Sequence, residues 1–355
     1  MRKKALIAMS GGVDSSVAVY LMKQAGYDCI GATMKLYDNG EIGLDSRKTC
    51  CSLDDVEDAK LVAHRLGIPH YTFNFRDDFE EKVIGRFVRC YENGVTPNPC
   101  IDCNRYLKFE ALYRRAMELG CDVIVTGHYA RIAVEDGRYL LKKAADKSKD
   151  QSYVLYSMTQ EQLAHTVFPC GELGKSEIRK IAEEQGFCNA QKPDSQDICF
   201  VPNGDYTSFI EHYTGKNYPS GDFVDVSGSV LGRHRGIIHY TVGQRKGLGI
   251  ASAAPLYVKE IRVGDNTVIL GRESDLFSCE LNAEGFQWSA FDTPPQTLRA
   301  NVKIRYRHRE QSATIITIDE SRVHIVFDEP QMAITRGQAA VVYDGETVLG
   351  GGVIV

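Results

Sequence analysis

No uninterrupted apolar run in this 355-residue chain approaches the about 20 residues that a bilayer-spanning helix needs, so no membrane partner is expected. No export leader is expected either. Arg2, Lys3 and Lys4 precede only five apolar residues, Ala5 to Met9, too few for a signal core. A cytoplasmic location is therefore expected, with reduced thiols although the chain holds 11 cysteines, an odd number. Neither sign of charge dominates. A net charge of −5 neither demands nor forbids nucleic acid, so a polyanion would have to find local basic patches. Internal repeats and low-complexity tracts are absent. What is present is ample material for cores, 43% hydrophobic residues, in a length that implies two or three domains.

A further absence is a lysine. Ala8-Met9-Ser10-Gly11-Gly12-Val13-Asp14-Ser15 reads as the end of a buried strand, a turn of small residues and the start of a helix. Two glycines let backbone approach a ligand closely. Amide N–H groups, two serine hydroxyls and the positive end of the helix make an anion cradle, whose natural guest is a nucleotide phosphate. The G-x-x-x-x-G-K-[ST] pattern fails, because no lysine precedes Ser15, and no G-x-G-x-x-G occurs here. Asp14 stands in the loop instead, which makes sense if it helps hold Mg²⁺ beside the phosphates. The stretch resembles the pyrophosphatase loop of the ATP pyrophosphatase superfamily, whose members split ATP into AMP and pyrophosphate while adenylating a second substrate.

Strands and helices alternate after the loop. A helix is expected from about Asp14 to Gln24 and a strand over Cys29–Met34. A helix opened by Ser52 and Asp55 carries Val56, Ala59, Val62 and Leu66, and Gly67 and Pro69 stop it. His70–Phe75 and Val123–Val125 read as strands, and Phe79–Tyr91 and the residues around Phe109–Ala116 as helices. This is the pattern of an α/β domain with a doubly wound, Rossmann-like parallel sheet, whose ligands sit beyond the carboxyl ends of the strands. The loop, Met34 and Thr126-Gly127-His128 all fall at such ends. A hairpin turns at Asp136-Gly137, and a helix spans about Ser176–Gln185. After a short helix near Tyr206–Tyr213 the chain becomes β-like, and its last 60 residues suggest a small barrel. The expected division is a nucleotide-binding catalytic domain over 1–203, a small central domain over 204–275 and a C-terminal β-barrel over 276–355.

Cys29, Cys90, Cys121 and Cys279 read as small core residues. Cys100-Ile101-Asp102-Cys103 follows two prolines and precedes a helix, where a thiol pKa falls. Cys199 follows the polar run Asp194–Ile198. Three readings stand: structural zinc shared with Cys50 and Cys51, inert thiols, or Cys103 and Cys199 as a catalytic pair exchanging sulfur.

The chain as a whole resembles the tRNA-specific 2-thiouridylases. The resemblance is carried by Ser10–Ser15, by Thr96-Pro97-Asn98-Pro99 with Cys103-Asn104 and Lys108-Phe109, and by Thr126–Ala130. It continues through Lys149–Tyr153, Asp194–Phe200 and His239–Leu248. It implies an ATP-dependent sulfurtransferase that adenylates the 2-carbonyl oxygen of a wobble uridine, releases pyrophosphate, then delivers persulfide sulfur to C2 with loss of AMP. Cys103 would be the nucleophile and Cys199 the persulfide carrier, with a Cys103–Cys199 disulfide left for reduction. Residues 8–15, Met34 and Gly127 would contact ATP. Asn98, Pro99 and Cys100 would face the target base. His128, Lys149, Asp150, Gln151, Arg305, Tyr306 and Gln338 would contact tRNA. A persulfide-donating sulfurtransferase or cysteine desulfurase would be the partner.

One departure stands out: the family pattern has an aspartate where this chain has Cys100. Either Asp102 takes the acid–base role, or the role is dispensable, or Cys100, Cys103 and Cys199 hold an iron–sulfur cluster. Lys303-Ile304-Arg305-Tyr306-Arg307-His308-Arg309 alternates with period two, which on a strand puts four cations on one face for phosphates; a solvated strand face balanced by Glu310 fits as well. A synthetase that amidates a small molecule is the alternative function; it would need neither Cys103 nor Cys199.

Overall fold

The computed structural model describes residues 2–37, 53–194, 198–201 and 204–355. It divides into two compact units that are not consecutive in sequence: residues 1–83, 100–206 and 345–348 form one, and residues 84–99, 207–344 and 349–355 the other.

The first unit is built on β1 (Lys4–Ala8), β2 (Asp28–Lys35), β3 (His70–Asn74), β4 (Val123–Val125) and β7 (Thr166–Val167), all parallel, in the order β3-β2-β1-β4-β7. Ala5, Leu6 and Ile7 of β1 are fully buried. That suits a central strand covered on both faces, where apolar residues run on without alternation. Helix α1 (Val13–Gln24) packs on it through Val17, Ala18 and Met22, and α2 (Leu53–Arg65) through Ala59, Val62 and Ala63. The chain leaves β1 toward β2 and β3, then returns to β4 on its other side. The direction of winding reverses between β1 and β4, which opens the crevice where such sheets bind ligands. A hairpin of β5 (Ala130–Glu135) and β6 (Arg138–Lys143) turns at Asp136 and Gly137, both with positive φ, the signature of a type I′ turn. Thr347 pairs with Lys142, which brings the short segment 345–348 into this unit.

Two expected helices are irregular. Arg76–Phe79 and Gly85–Glu92 are α-helical but enclose a π turn at Glu80–Ile84. The helix that starts at Pro99 is α-helical over Pro99–Asp102, π-helical over Cys103–Leu112 and α-helical again over Tyr113–Glu118. Ser52, expected to open α2, lies outside the described residues, as do Cys50 and Cys51.

In the second unit, β8 (Gly221–Asp225), β9 (Val230–His234), β10 (Tyr257–Arg262) and β11 (Thr267–Gly271) form a sheet in the order β10-β11-β8-β9. Strands β12 (Phe277–Trp288), β13 (Thr297–Lys303), β14 (Gln311–Thr317), β15 (Val323–Met332), β16 (Ala339–Asp344) and β17 (Thr347–Ile354) follow in the order β12-β15-β14-β13-β16-β17. Pairing of β12 with β17 closes them into the expected C-terminal barrel. Val302, Ile304, Ile315, Ile325 and Val342 are among the residues that fill it.

Two expectations are corrected here. The basic row does not lie on a strand: β13 ends at Lys303, and residues 304–307 form a turn with Ile304 buried and Arg305, Tyr306 and Arg307 exposed. The cations therefore do not share one strand face. Burial of Ile304 at the barrel edge bends the chain away before the alternation begins. Of the four cysteines read as core, Cys29 and Cys121 are buried, Cys90 is half-buried and Cys279 is exposed. The register of β12 against β15 slips between Ser278 and Glu280, where the single Cys279 stands opposite residues 327–330 of β15, so the ladder is broken at this cysteine.

Candidate active site

The loop that follows β1 is shaped by its own serine hydroxyls. Ser15 Oγ donates to the Gly12 carbonyl at 3.0 Å and accepts from the Ser10 amide at 3.3 Å, while Ser16 Oγ donates to the same carbonyl at 3.1 Å. The Ser15 hydroxyl, expected to bind anion, instead holds the loop closed. The anion-binding groups left are the exposed Ser10 hydroxyl and backbone amides. Gly12 caps α1 with no side-chain acceptor, so the first-turn amides point out without a capping partner. Such an N-terminus, at the crevice between β1 and β4, fits a nucleotide phosphate. Gly11 has φ +73° and a Cβ there would meet the Asp55 carbonyl oxygen at 2.4 Å. Gly127, just beyond β4, lies against the start of α1: a Cβ would meet Ser15 N at 2.7 Å and the Asp14 carbonyl carbon at 2.8 Å. Met34 is half-buried near the end of β2, Ala8 is half-buried at the end of β1, and Met9 and Val13 are buried beneath the loop.

The lysine missing from the loop arrives from elsewhere. Lys175, the first residue of the Lys175–Glu184 helix, donates to Asp14 Oδ1 at 2.7 Å and Oδ2 at 2.9 Å. The Tyr129 hydroxyl donates to Oδ1 at 2.6 Å. Burial, and then Asp14, push the Tyr129 phenol above its ordinary range, so it stays a donor. Lys175 also reaches Asp194 Oδ1 at 2.7 Å, and Asp194 is further paired with Lys149 at 2.9 Å and Arg179 at 3.1 Å. Partial burial raises the Asp194 carboxyl, but Lys175 and Lys149 together bring it below the usual carboxylate range. Behind the loop, Asn189 donates to Gly11 O and Ser16 Oγ, both at 2.9 Å, and Lys192 bridges Asp55 and Asp58, each at 2.6 Å. The buried Cys170 thiol donates to Asp14 O at 3.4 Å. Of these residues, Tyr129 and Asp194 lie inside motifs that the sequence displays. Lys175, Arg179, Asn189 and Lys192 carry no local signal, since 161 residues separate Lys175 from Asp14.

Cys103 opens the π-helical stretch, one turn inside a helix that starts at Pro99. A helix N-terminus was expected to acidify its thiol. Burial instead pushes it up, Lys108 pulls it down and Asp102 pushes it up again. Asn104, next to it, is buried and donates to the Val154 carbonyl at 3.0 Å. His128 is buried: Thr126 Oγ1 lies 2.6 Å from Nδ1 and Lys108 Nζ lies 3.4 Å from Nε2. Asp150 and Gln151 brace local backbone. Asp150 accepts from Ala144 N, and Gln151 Oε1 accepts from Tyr129 N at 2.9 Å. Cys199 is half-buried, with its carbonyl accepting from the Tyr37 hydroxyl at 2.9 Å. Cys100 is exposed, and Cys100, Cys103 and Cys199 are not joined to one another by a disulfide. The iron–sulfur reading needs these three to converge. Among the described residues, no group of three or more His, Cys, Asp or Glu side chains is placed to hold a metal ion, so that reading is not supported.

In the second unit, the loop that ends at Asn98 and Pro99 is held by Gln338, whose Nε2 donates to Thr96 O at 2.9 Å, and by Thr96 N donating to Arg336 O at 3.0 Å. Asn98 is half-buried and Pro99 buried.

Residues 3–203 match the family described as tRNA methyl transferase HUP domain, residues 207–272 the tRNA methyl transferase PRC-barrel domain, and residues 278–354 the aminomethyltransferase β-barrel domain. The chain is 50% identical over 356 residues to the tRNA-specific 2-thiouridylase MnmA of Clostridioides difficile, covering 100% of this chain and 98% of that one. It is also 50% identical over 354 residues to the enzyme of the same name from Clostridium acetobutylicum, covering 100% of both. Among solved structures, a 4-thiouridine synthetase in complex with RNA and ATP aligns over 60% of this chain and 50% of that one. The identity is 18% and the TM-score 0.36, too loose a fit to carry an argument.

Proposed function

From the premise that this chain belongs to the tRNA-specific 2-thiouridylases, a family of tRNA sulfurtransferases, we propose that it activates the 2-carbonyl oxygen of a wobble uridine with ATP and replaces it with sulfur. The observation that carries the reading is the uncapped first turn of α1, set at the crevice between β1 and β4 with Asp14 and Lys175 beside it, in the same unit as Cys103 and Cys199.

A carbonyl oxygen is a poor leaving group; once adenylated it departs as AMP. The amides at Gly12–Ser15 would take the phosphates, and Gly127 would let the nucleotide approach. Asp14 offers the hard oxygens that suit Mg²⁺, and the ion would neutralise phosphate charge when bound. Lys175 supplies a positive charge at the same carboxylate. Asn98, Pro99 and Cys100 would face the base, and Lys149 to Gln151, His128, Arg305, Tyr306 and Gln338 would serve tRNA. A donor protein of the sulfurtransferase or cysteine desulfurase class would load Cys199 as a persulfide. Its outer sulfur would attack C2 and displace AMP. The Cys103 thiolate would then take Cys199 Sγ, leaving a Cys103–Cys199 disulfide that a thiol reductant resets and a thiocarbonyl on the base.

Pyrophosphate release from ATP, measured with and without tRNA, tests this. Release that requires tRNA, and that persists in Cys199→Ala while thiolation is lost, is expected. Release without tRNA would indicate a small-molecule synthetase, and thiolation by Cys199→Ala with the natural donor would exclude the persulfide role.

A further inference from the structure

Lys108 carries a charge that the described residues leave unbalanced. Its ammonium makes one polar contact among them, to His128 Nε2 at 3.4 Å, and none of their carboxylates lies within ion-pairing distance of it. An ammonium can only donate, so His128 Nε2 accepts and its ring proton sits on Nδ1, which donates to Thr126 Oγ1. Burial, and then the nearby Lys108 charge, hold the His128 imidazole well below its ordinary range, so it is neutral. The pair is a half-buried cation on a neutral ring, and it still lacks an anion.

The helix supplies a candidate. Lys108 lies five residues after Cys103, and both belong to the π-helical stretch Cys103–Leu112. Residues five apart stand about 140° apart around an α-helix. In a π-helix they are linked by the i→i+5 hydrogen bond and come close to one side. The charges that act on the Cys103 thiol are Lys108 and Asp102, with opposite effects. Of the elements packed on this stretch, the Arg76–Phe79 helix brings Arg76, Asp77 and Asp78, of which Asp78 pairs with Lys82 at 2.8 Å. The Ser152–Leu155 turn brings no charge, and the segment after β4 brings the neutral His128.

We propose that Lys108 is the positioning residue for Cys103: anchored by His128, its ammonium is the counter-ion that lets this half-buried thiol act as a thiolate. This rests on the reading of Cys103 as the group that cleaves the persulfide. In that step the thiolate attacks Cys199 Sγ. The Cys103–Cys199 bond forms, the bond from Cys199 Sγ to the outer sulfur breaks, and its electron pair stays with the sulfur already joined to C2. No oxidant is consumed.

The test is the pH dependence of Cys103 alkylation by iodoacetamide in the full-length folded protein, resolved peptide by peptide by mass spectrometry. The exposed Cys100, Cys188 and Cys279 serve as internal references. Lys108→Met is expected to move the Cys103 midpoint up by about one pH unit, a typical effect of removing a nearby opposite charge. Lys108→Arg should restore most of it, and the reference cysteines should not move. Lys108→Gln, closer in polarity, serves if Lys108→Met does not fold. An unmoved Cys103 midpoint in a folded variant overturns the proposal. So does an unmoved midpoint with a raised KM for ATP, which would make a nucleotide phosphate the missing anion. Full thiolation by Cys103→Ser would instead overturn the reading of Cys103 and leave the alkylation result standing.

Discussion

Gly127 shows how single residues build this site. The residue has no side chain because the first turn of α1 occupies the space one would need, with Ser15 N 2.7 Å from where a Cβ would sit. That neighbour is backbone and cannot swing aside. Gly127→Ala is therefore expected to cost the first unit about 1–3 kcal/mol, the range for overpacking, and to lower ATP-driven pyrophosphate release. Urea unfolding and the release assay read the two effects; wild-type behaviour in both would show that the close packing does not set the loop. Asp14 is legible in the sequence as a residue, but its surroundings are not. The sequence shows an acid in a phosphate loop, and only folding supplies its partners, Tyr129 and Lys175. The Cys103 thiol departs from expectation for a related reason. Its place after two prolines suggests a helix end, yet the helix begins at Pro99 and burial outweighs any end effect.

Among elements, β1 and β4 of the parallel sheet are the most legible, because full burial leaves an apolar run that sequence displays directly. The π-helical stretch Cys103–Leu112 is not legible: its apolar positions fit an ordinary helix, and the wider turn depends on what packs around it. The basic row fails in the other direction. Its alternation matches a strand, but Ile304 turns into the barrel and the chain leaves β13 at Lys303. His308, just beyond, is half-buried with no hydrogen-bond partner for Nδ1 among the described residues. Burial first, then Arg305 and Lys303, push it down to about 4. An unfolded histidine titrates near 6.5, so the unfolded chain takes the proton first. The stability this gives the barrel is complete above pH about 6.5 and is lost as pH falls toward about 4. Unfolding midpoints between pH 7.5 and 4.5 should therefore fall more steeply in the wild type than in His308→Gln; parallel curves would rule this out.

At the scale of the whole molecule, a net charge of −5 means that tRNA must be held by local cations against a repulsive background. Arg305 and Arg307 stand exposed in the turn that follows Lys303, and Arg309 lies exposed just beyond it. Arg305→Ala with Arg307→Ala is expected to flatten the dependence of log affinity for tRNA on log salt, by about one for each phosphate that is no longer neutralised; an unchanged slope would place the RNA elsewhere. By itself the sequence determined the layers and the barrel, and it marked Ser10–Ser15 as the candidate phosphate loop and Cys103 and Cys199 as the candidate sulfur carriers, because burial patterns, turn residues and motifs are local and survive in one dimension. Tertiary structure alone decided that Lys175 would stand at Asp14 and that His128 would be neutral under Lys108. It also decided that residues 84–99 and 345–348 would join units distant in sequence. Ion pairs and desolvation depend on distances across the folded chain, and the spacing of residues along it does not encode them.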